Sequence, residues 1–104
     1  MEPSAHLSAH TDTFCRDNLP PHDEWPELTF ELPELRYPQR LNCAVELLDT
    51  TIGRYGGNRR CLLSPTEAWS YEDLRRRADG VARVLVEELG LVPGNRVLLR
   101  GPNN

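Results

Sequence analysis

The chain has 104 residues, enough for one domain of modest size, and its composition of 38 % apolar and 27 % charged residues argues against disorder throughout. A net charge of −4 gives no general attraction for nucleic acid or anionic membrane. No apolar run approaches the ~18 residues that a membrane span needs. We therefore expect a cytoplasmic protein that binds neither nucleic acid nor membrane.

The first forty residues, 1–40, hold six of the nine prolines and show little periodicity. Isolated large apolar residues alternate with these prolines, a pattern that excludes a long helix or a central strand. Such a segment can run extended over a surface and place one apolar side chain at a time against it. The sequence predicts an extended, Pro-rich N-terminal arm over residues 1–40 that wraps a larger body.

Residues 41–104 have regular patterns and predict a partial α/β subdomain. Asn42 can cap a helix over about 43–55, where apolar residues recur every three or four positions and Gly56 follows. A β-hairpin is predicted over about 60–69, with the sequence SPTE as its turn.

A longer helix is predicted over about 71–89. Ser70 and Asp73 form the two partners of a capping box, and a continuous apolar stripe follows. The members of this stripe are Tyr71, Leu74, Ala78, Val81, Ala82, Leu85 and Leu89.

After this helix, Pro93 and Gly94 suit the central positions of a type II turn. The next residues, about 96–100, predict a sheet strand. The three successive apolar residues 97–99 indicate that both faces of that strand are buried, as in a central parallel strand. We expect a larger sheet to continue beyond Asn104.

Candidate chemistry is sparse. The run Arg75–Arg77 spans too wide an arc of a helix to face one ligand, and acidic residues at i,i+4 favour a solvated, self-paired face. His6 and His10, with His22 as a third, have the spacing of metal ligands but lie in a segment with no predicted helix.

The cysteines and the C-terminal loop offer no site either. Cys15, Cys43 and Cys61 are odd in number and include no C-x-x-C pair, which argues against a disulfide framework and a zinc site. The sequence GPNN at 101–104 lacks the pattern of a phosphate loop. We predict no catalytic, cofactor-binding or metal-binding residue in this chain.

One stretch resembles a known family. The sequence WSYEDLRRRADGVARVLVEELGLVPGNRVLLRGPNN, residues 69–104, resembles the opening segment of the adenylate-forming acyl-CoA synthetases, the AMP-binding family. The matching residues are Trp69, Tyr71, Leu74, Pro93, Gly94, Arg96, Val97, Pro102 and Asn103. Asn95 departs from the pattern, since most members have Asp there. Upstream, SAHTDTF, RDNLPPHDEWPEL and LPELRYPQRLN resemble the aryl-CoA ligase branch, which includes 2-aminobenzoate-CoA and benzoate-CoA ligases.

The resemblance implies that this chain is a fragment of the large N-terminal domain of an ATP-dependent acyl- or aryl-CoA ligase. The complete enzyme would convert a carboxylate, ATP and coenzyme A into acyl-CoA, AMP and pyrophosphate, with Mg²⁺. Family members are several times longer, and their phosphate loop, adenine and ribose contacts and catalytic lysine have no counterpart among these residues. We therefore expect a scaffold without activity of its own, whose partner is the remainder of the ligase domain.

Two alternatives come from other classes of protein. A free-standing interaction module would dock onto another protein through the open edge beside residues 97–99, because unpaired strands template pairing. A small nucleic-acid binder would use the Arg-rich helix, and unchanged DNA or RNA mobility at low salt would eliminate it.

Overall fold

The computed structural model describes residues 8–103 and divides into two units. One unit comprises residues 8–36 together with 91–103, and the other comprises residues 37–90. The predicted division at residue 40 had instead kept the C-terminal segment with the helices. We call the two the arm unit and the helix–hairpin unit.

The arm unit contains only short helical turns. They are α1 (Phe14–Asp17) and two 3₁₀ turns, His22–Glu24 and Pro33–Leu35. Prolines prevent these turns from extending into longer helices, because proline lacks an N–H group and restricts the residue before it. This part of the arm therefore alternates single turns with irregular backbone.

A sheet strand was predicted over residues 96–100, and it is not formed. These residues lie outside regular secondary structure. A strand requires backbone hydrogen bonds to a neighbouring strand, and the described part of the arm unit contains none. The side chains of Leu98 and Leu99 consequently lack cover and are 92 % and 89 % exposed.

The helix–hairpin unit begins with a helical segment that Asn42 caps. The Asn42 Oδ1 atom accepts a hydrogen bond from the Val45 backbone N–H at 3.1 Å, as the sequence predicted. A π-helical turn (Val45–Asp49) leads into α2 (Thr50–Tyr55). Gly56 then ends the helix with φ +82°, a backbone conformation that favours glycine.

A two-stranded antiparallel hairpin follows, formed by β1 (Arg60–Leu63) and β2 (Ala68–Ser70). The Ser64 N–H donates to the Glu67 carbonyl at 2.8 Å and closes the predicted turn. The pairing register shifts between Arg60 and Leu62, so Cys61 is the extra residue of a β-bulge.

The longest helix is α3 (Tyr71–Arg83), extended by a π-helical turn (Val84–Glu88). Its predicted capping box is confirmed: the Ser70 Oγ accepts from the Asp73 N–H at 3.1 Å, and Asp73 Oδ2 accepts from the Ser70 N–H at 3.0 Å. The Ser70 backbone N–H, followed by the Ser70 hydroxyl, lowers the pKa of Asp73, so this carboxylate is ionised at neutral pH and can accept both hydrogen bonds.

The first turn of α3 is anchored to the loop that precedes β1. The N–H groups of Tyr71 and Glu72 donate to the carbonyls of Arg59 and Gly57, each at 3.0 Å. Two of the orphan donors at the helix start are thus satisfied by backbone.

The described chain combines helices with a small two-stranded sheet, which confirms the predicted mixed helix-and-strand class at that level. No residue between 8 and 103 is fully buried. Within the same range, no helix is both long and apolar enough to cross a bilayer.

Candidate functional site

The candidate metal ligands do not converge on a site. His6 lies outside the described residues. The His22 ring stacks on Trp25 with the ring centroids 4.8 Å apart, an arrangement that explains this histidine by packing. Among residues 8–103, no three His, Cys, Asp or Glu side chains are grouped so that they could hold a metal ion.

Two arginines of the run form ion pairs, as predicted, but neither pair within the helix has the predicted i,i+4 spacing. Arg75 contacts Glu72 at 2.6 Å and Asp49 at 3.8 Å, and Arg76 pairs with Asp73. The two pairs within the helix are i,i+3 rather than the predicted i,i+4. Glu72 raises the pKa of Arg75, so this guanidinium stays charged beside its partner.

The third arginine of the run stacks on an aromatic ring. The Arg77 guanidinium carbon lies 3.9 Å from the centroid of the Trp69 ring, a cation–π contact. Each arginine of the run therefore has a partner within the helix–hairpin unit: Glu72 for Arg75, Asp73 for Arg76 and the Trp69 ring for Arg77.

An open, mainly apolar groove runs along α3 and includes Trp69 of β2. We call it the α3 groove; it is lined by Trp69, Leu74, Arg77, Ala78, Gly80, Val81, Ala82, Val84 and Leu85. Its apolar members belong largely to the predicted stripe. Val81 is 60 % exposed. This face of α3 thus has the apolar composition of a packing surface, but no other element of the helix–hairpin unit covers it.

The best-defined polar cluster lies in the arm unit and begins with a turn. The Asn95 N–H donates to the Val92 carbonyl at 3.0 Å, and Gly94 has φ +97°, as the predicted type II turn requires. The carbonyl of Pro93 accepts from the N–H groups of Thr11 and Asp12 at 2.9 and 3.0 Å. This turn therefore binds the backbone of the N-terminal arm.

Side chains reinforce that backbone contact. Asp12 Oδ2 accepts from Asn95 Nδ2 at 2.8 Å and from Arg96 Nη1 at 3.2 Å. Asp12 Oδ1 accepts from the Phe14 N–H at 3.0 Å. The Phe14 N–H, followed by the Asn95 amide, lowers the pKa of Asp12, so its carboxylate is ionised at neutral pH.

The Arg96 guanidinium completes the cluster by lying over the Phe14 ring, with its central carbon 4.3 Å from the ring centroid. We call Asp12, Phe14, Pro93, Asn95 and Arg96 the Asp12 clamp. It joins two segments that lie far apart in the sequence, through hydrogen bonds between residues 82 to 84 positions apart.

Reasoning from the sequence missed this clamp. Its residues have no shared periodicity, and each segment has an adequate local explanation as arm or turn.

Comparison with known proteins adds nothing to these observations, because no family model, no curated protein and no solved structure matches this chain. The function proposed for this chain therefore rests on its own residues and on the resemblance in its sequence.

Proposed function

We propose that this chain is the N-terminal scaffold portion of an ATP-dependent acyl-CoA ligase, most similar to the aryl-CoA branch. The proposal is carried by one observation: the α3 helix, whose sequence resembles the opening segment of that family, presents an open apolar groove along one face. A segment of a larger domain would have such a face.

Energetics favour a covering body for this face. Burying one aliphatic side chain stabilises a fold by ~1.5–3 kcal/mol. The exposed side chains of the α3 groove and of Leu98 and Leu99 lack this stabilisation. A continuing parallel sheet would cover residues 97–99 on both faces. The proposed partner is accordingly the remainder of the ligase domain.

In the complete, cytoplasmic enzyme this segment would be structural. The reaction joins a carboxylate to AMP with release of pyrophosphate, after which coenzyme A displaces AMP. ATP, Mg²⁺ and coenzyme A would be held by residues beyond this chain, and we assign none of its side chains to them. The α3 helix and hairpin would flank the large domain while the arm wraps it.

The purified 104-residue chain is expected to show no carboxylate-dependent ATP–pyrophosphate exchange, because we assign none of its described residues to binding or activating either substrate. The assay measures radiolabelled pyrophosphate entering ATP, with benzoate and 2-aminobenzoate as carboxylates. An active acyl-CoA ligase assayed alone and with added chain is the positive control. Exchange by the chain alone, above a protein-free blank, would contradict the scaffold role.

A free-standing interaction module is the second candidate, because Leu98 and Leu99 are almost wholly exposed. Isolation of a single protein bound at fixed stoichiometry would favour the module. A cooperatively melting monomer that captures no protein would count against it.

A further inference from the structure

Both polar atoms of the Asn95 side chain form hydrogen bonds. Its Oδ1 atom accepts a hydrogen bond from the Val92 N–H at 2.9 Å, while its Nδ2 atom donates to Asp12 Oδ2 at 2.8 Å. One end must accept and the other must donate. At neutral pH, where an aspartate of the same length is ionised and can only accept, an amide does both.

Asp12 is specified in the complementary sense. All the groups that bond to its carboxylate are donors: the Phe14 N–H at one oxygen, and Asn95 Nδ2 with Arg96 Nη1 at the other. An ionised carboxylate accepts at both oxygens and gains from the arginine charge.

We infer that residues 12 and 95 form a latch, a side-chain pair that requires one carboxylate and one amide. This latch holds the N-terminal arm against the 92–96 turn. The identity of each residue is therefore coupled to that of the other. The inference rests on contacts within the arm unit and is independent of the proposed function.

The substitution Asn95→Asp tests the coupling directly. Aspartate at position 95 keeps an acceptor for the Val92 N–H but loses the donor, and it places a second carboxylate against Asp12. Like charges at this distance repel, so the latch should open at neutral pH.

The reciprocal double variant, Asp12→Asn with Asn95→Asp, should close the latch again. The new amide at position 12 can accept from the Phe14 N–H and donate to the carboxylate at position 95, which still accepts from Val92. This variant has the same composition and net charge as the unmodified chain. It is therefore a matched control for the single substitution.

The two forms should respond to acid in opposite directions. In the unmodified chain the pKa of Asp12 is lowered, so the latch is present above the ordinary range of aspartate and is lost as the pH falls through the lowered pKa. In Asn95→Asp, repulsion raises the pKa of one carboxyl group of the pair, so a shared proton should restore the latch as the pH falls through that raised pKa.

Two other ionisable groups face this region and are common to all the variants. Arg96 contacts Asp12 at 3.2 Å, and His10 lies beside Gly94. Comparing variants at each pH removes the contribution of His10. In the double variant, however, Arg96 Nη1 meets the amide nitrogen at position 12 instead of a carboxylate oxygen, so protection should recover only in part.

The experiment is hydrogen exchange of the Thr11 and Asp12 amides, which both donate to Pro93, read by NMR on the 104-residue chain. Losing one charge-assisted hydrogen bond predicts at least about tenfold less protection in Asn95→Asp at pH 7, and a partial recovery in the double variant. Protection in Asn95→Asp should rise towards pH 4.5. Equal protection in all three proteins, failure of the double variant to recover, or no protection in the unmodified chain would overturn the latch.

Discussion

Gly94→Ala is expected to release the N-terminal arm from the 92–96 turn. A side chain at φ +97° costs about 1–2 kcal/mol, and the added Cβ would collide with the Asp12 backbone carbonyl, which cannot rotate out of the way. Thr11 and Asp12 should then lose at least about tenfold of their amide protection, since 1.4 kcal/mol corresponds to tenfold. Hydrogen exchange monitored by NMR measures the loss.

Gly80→Ala is the matched control for that substitution. Gly80 lies inside α3, where an added Cβ would meet no atom within 4 Å. Alanine is the better helix former by about 0.8–1 kcal/mol, so this variant should gain helicity and leave the arm amides unchanged. An unchanged exchange rate for Thr11 and Asp12 in Gly94→Ala would mean that the clamp does not hold the arm.

Val81→Asp should have an effect that depends on whether the remainder of the proposed ligase is present. In the 104-residue chain, Val81 is 60 % exposed in the α3 groove, so the stability change should stay within about 0.5 kcal/mol. In the complete ligase the same side chain would be covered. An unpaired buried carboxylate there should destabilise the enzyme by about 3–5 kcal/mol. Denaturant unfolding of both proteins, each with and without the substitution, measures the difference.

Arg83→Asp is the control on the opposite face of α3. Arg83 forms an exposed pair with Glu87 at 3.7 Å, and exposed pairs contribute at most about 0.5 kcal/mol in a helix. It should therefore have a small effect in either protein. If Val81→Asp destabilises the complete ligase no more than Arg83→Asp does, the α3 groove is not a packing surface.

Local chemistry explains which features could be predicted from the sequence. The Asn42 cap, the Ser70–Asp73 capping box and the turn at Gly94 each depend on residues within three or four positions of one another. Side-chain hydrogen bonding and glycine geometry determine such features without help from distant residues. These predictions are confirmed.

Features that need a distant partner could not be predicted in the same way. The strand expected over residues 96–100 has the right residues, but a strand forms only against another strand, and none is present in the described arm unit. The Asp12 clamp joins residues more than 80 positions apart, and no local pattern records that pairing. The stacking of Arg77 on Trp69 likewise replaced a predicted ion pair.

We propose that this chain is the opening segment of a ligase whose remainder covers the α3 groove and residues 97–99. Reading the coding sequence past codon 104 tests this proposal. We predict an open frame that encodes a further helix and then a Ser/Thr/Gly-rich loop ending in lysine. A stop codon immediately after the codon for Asn104 would contradict the claim and favour the interaction module.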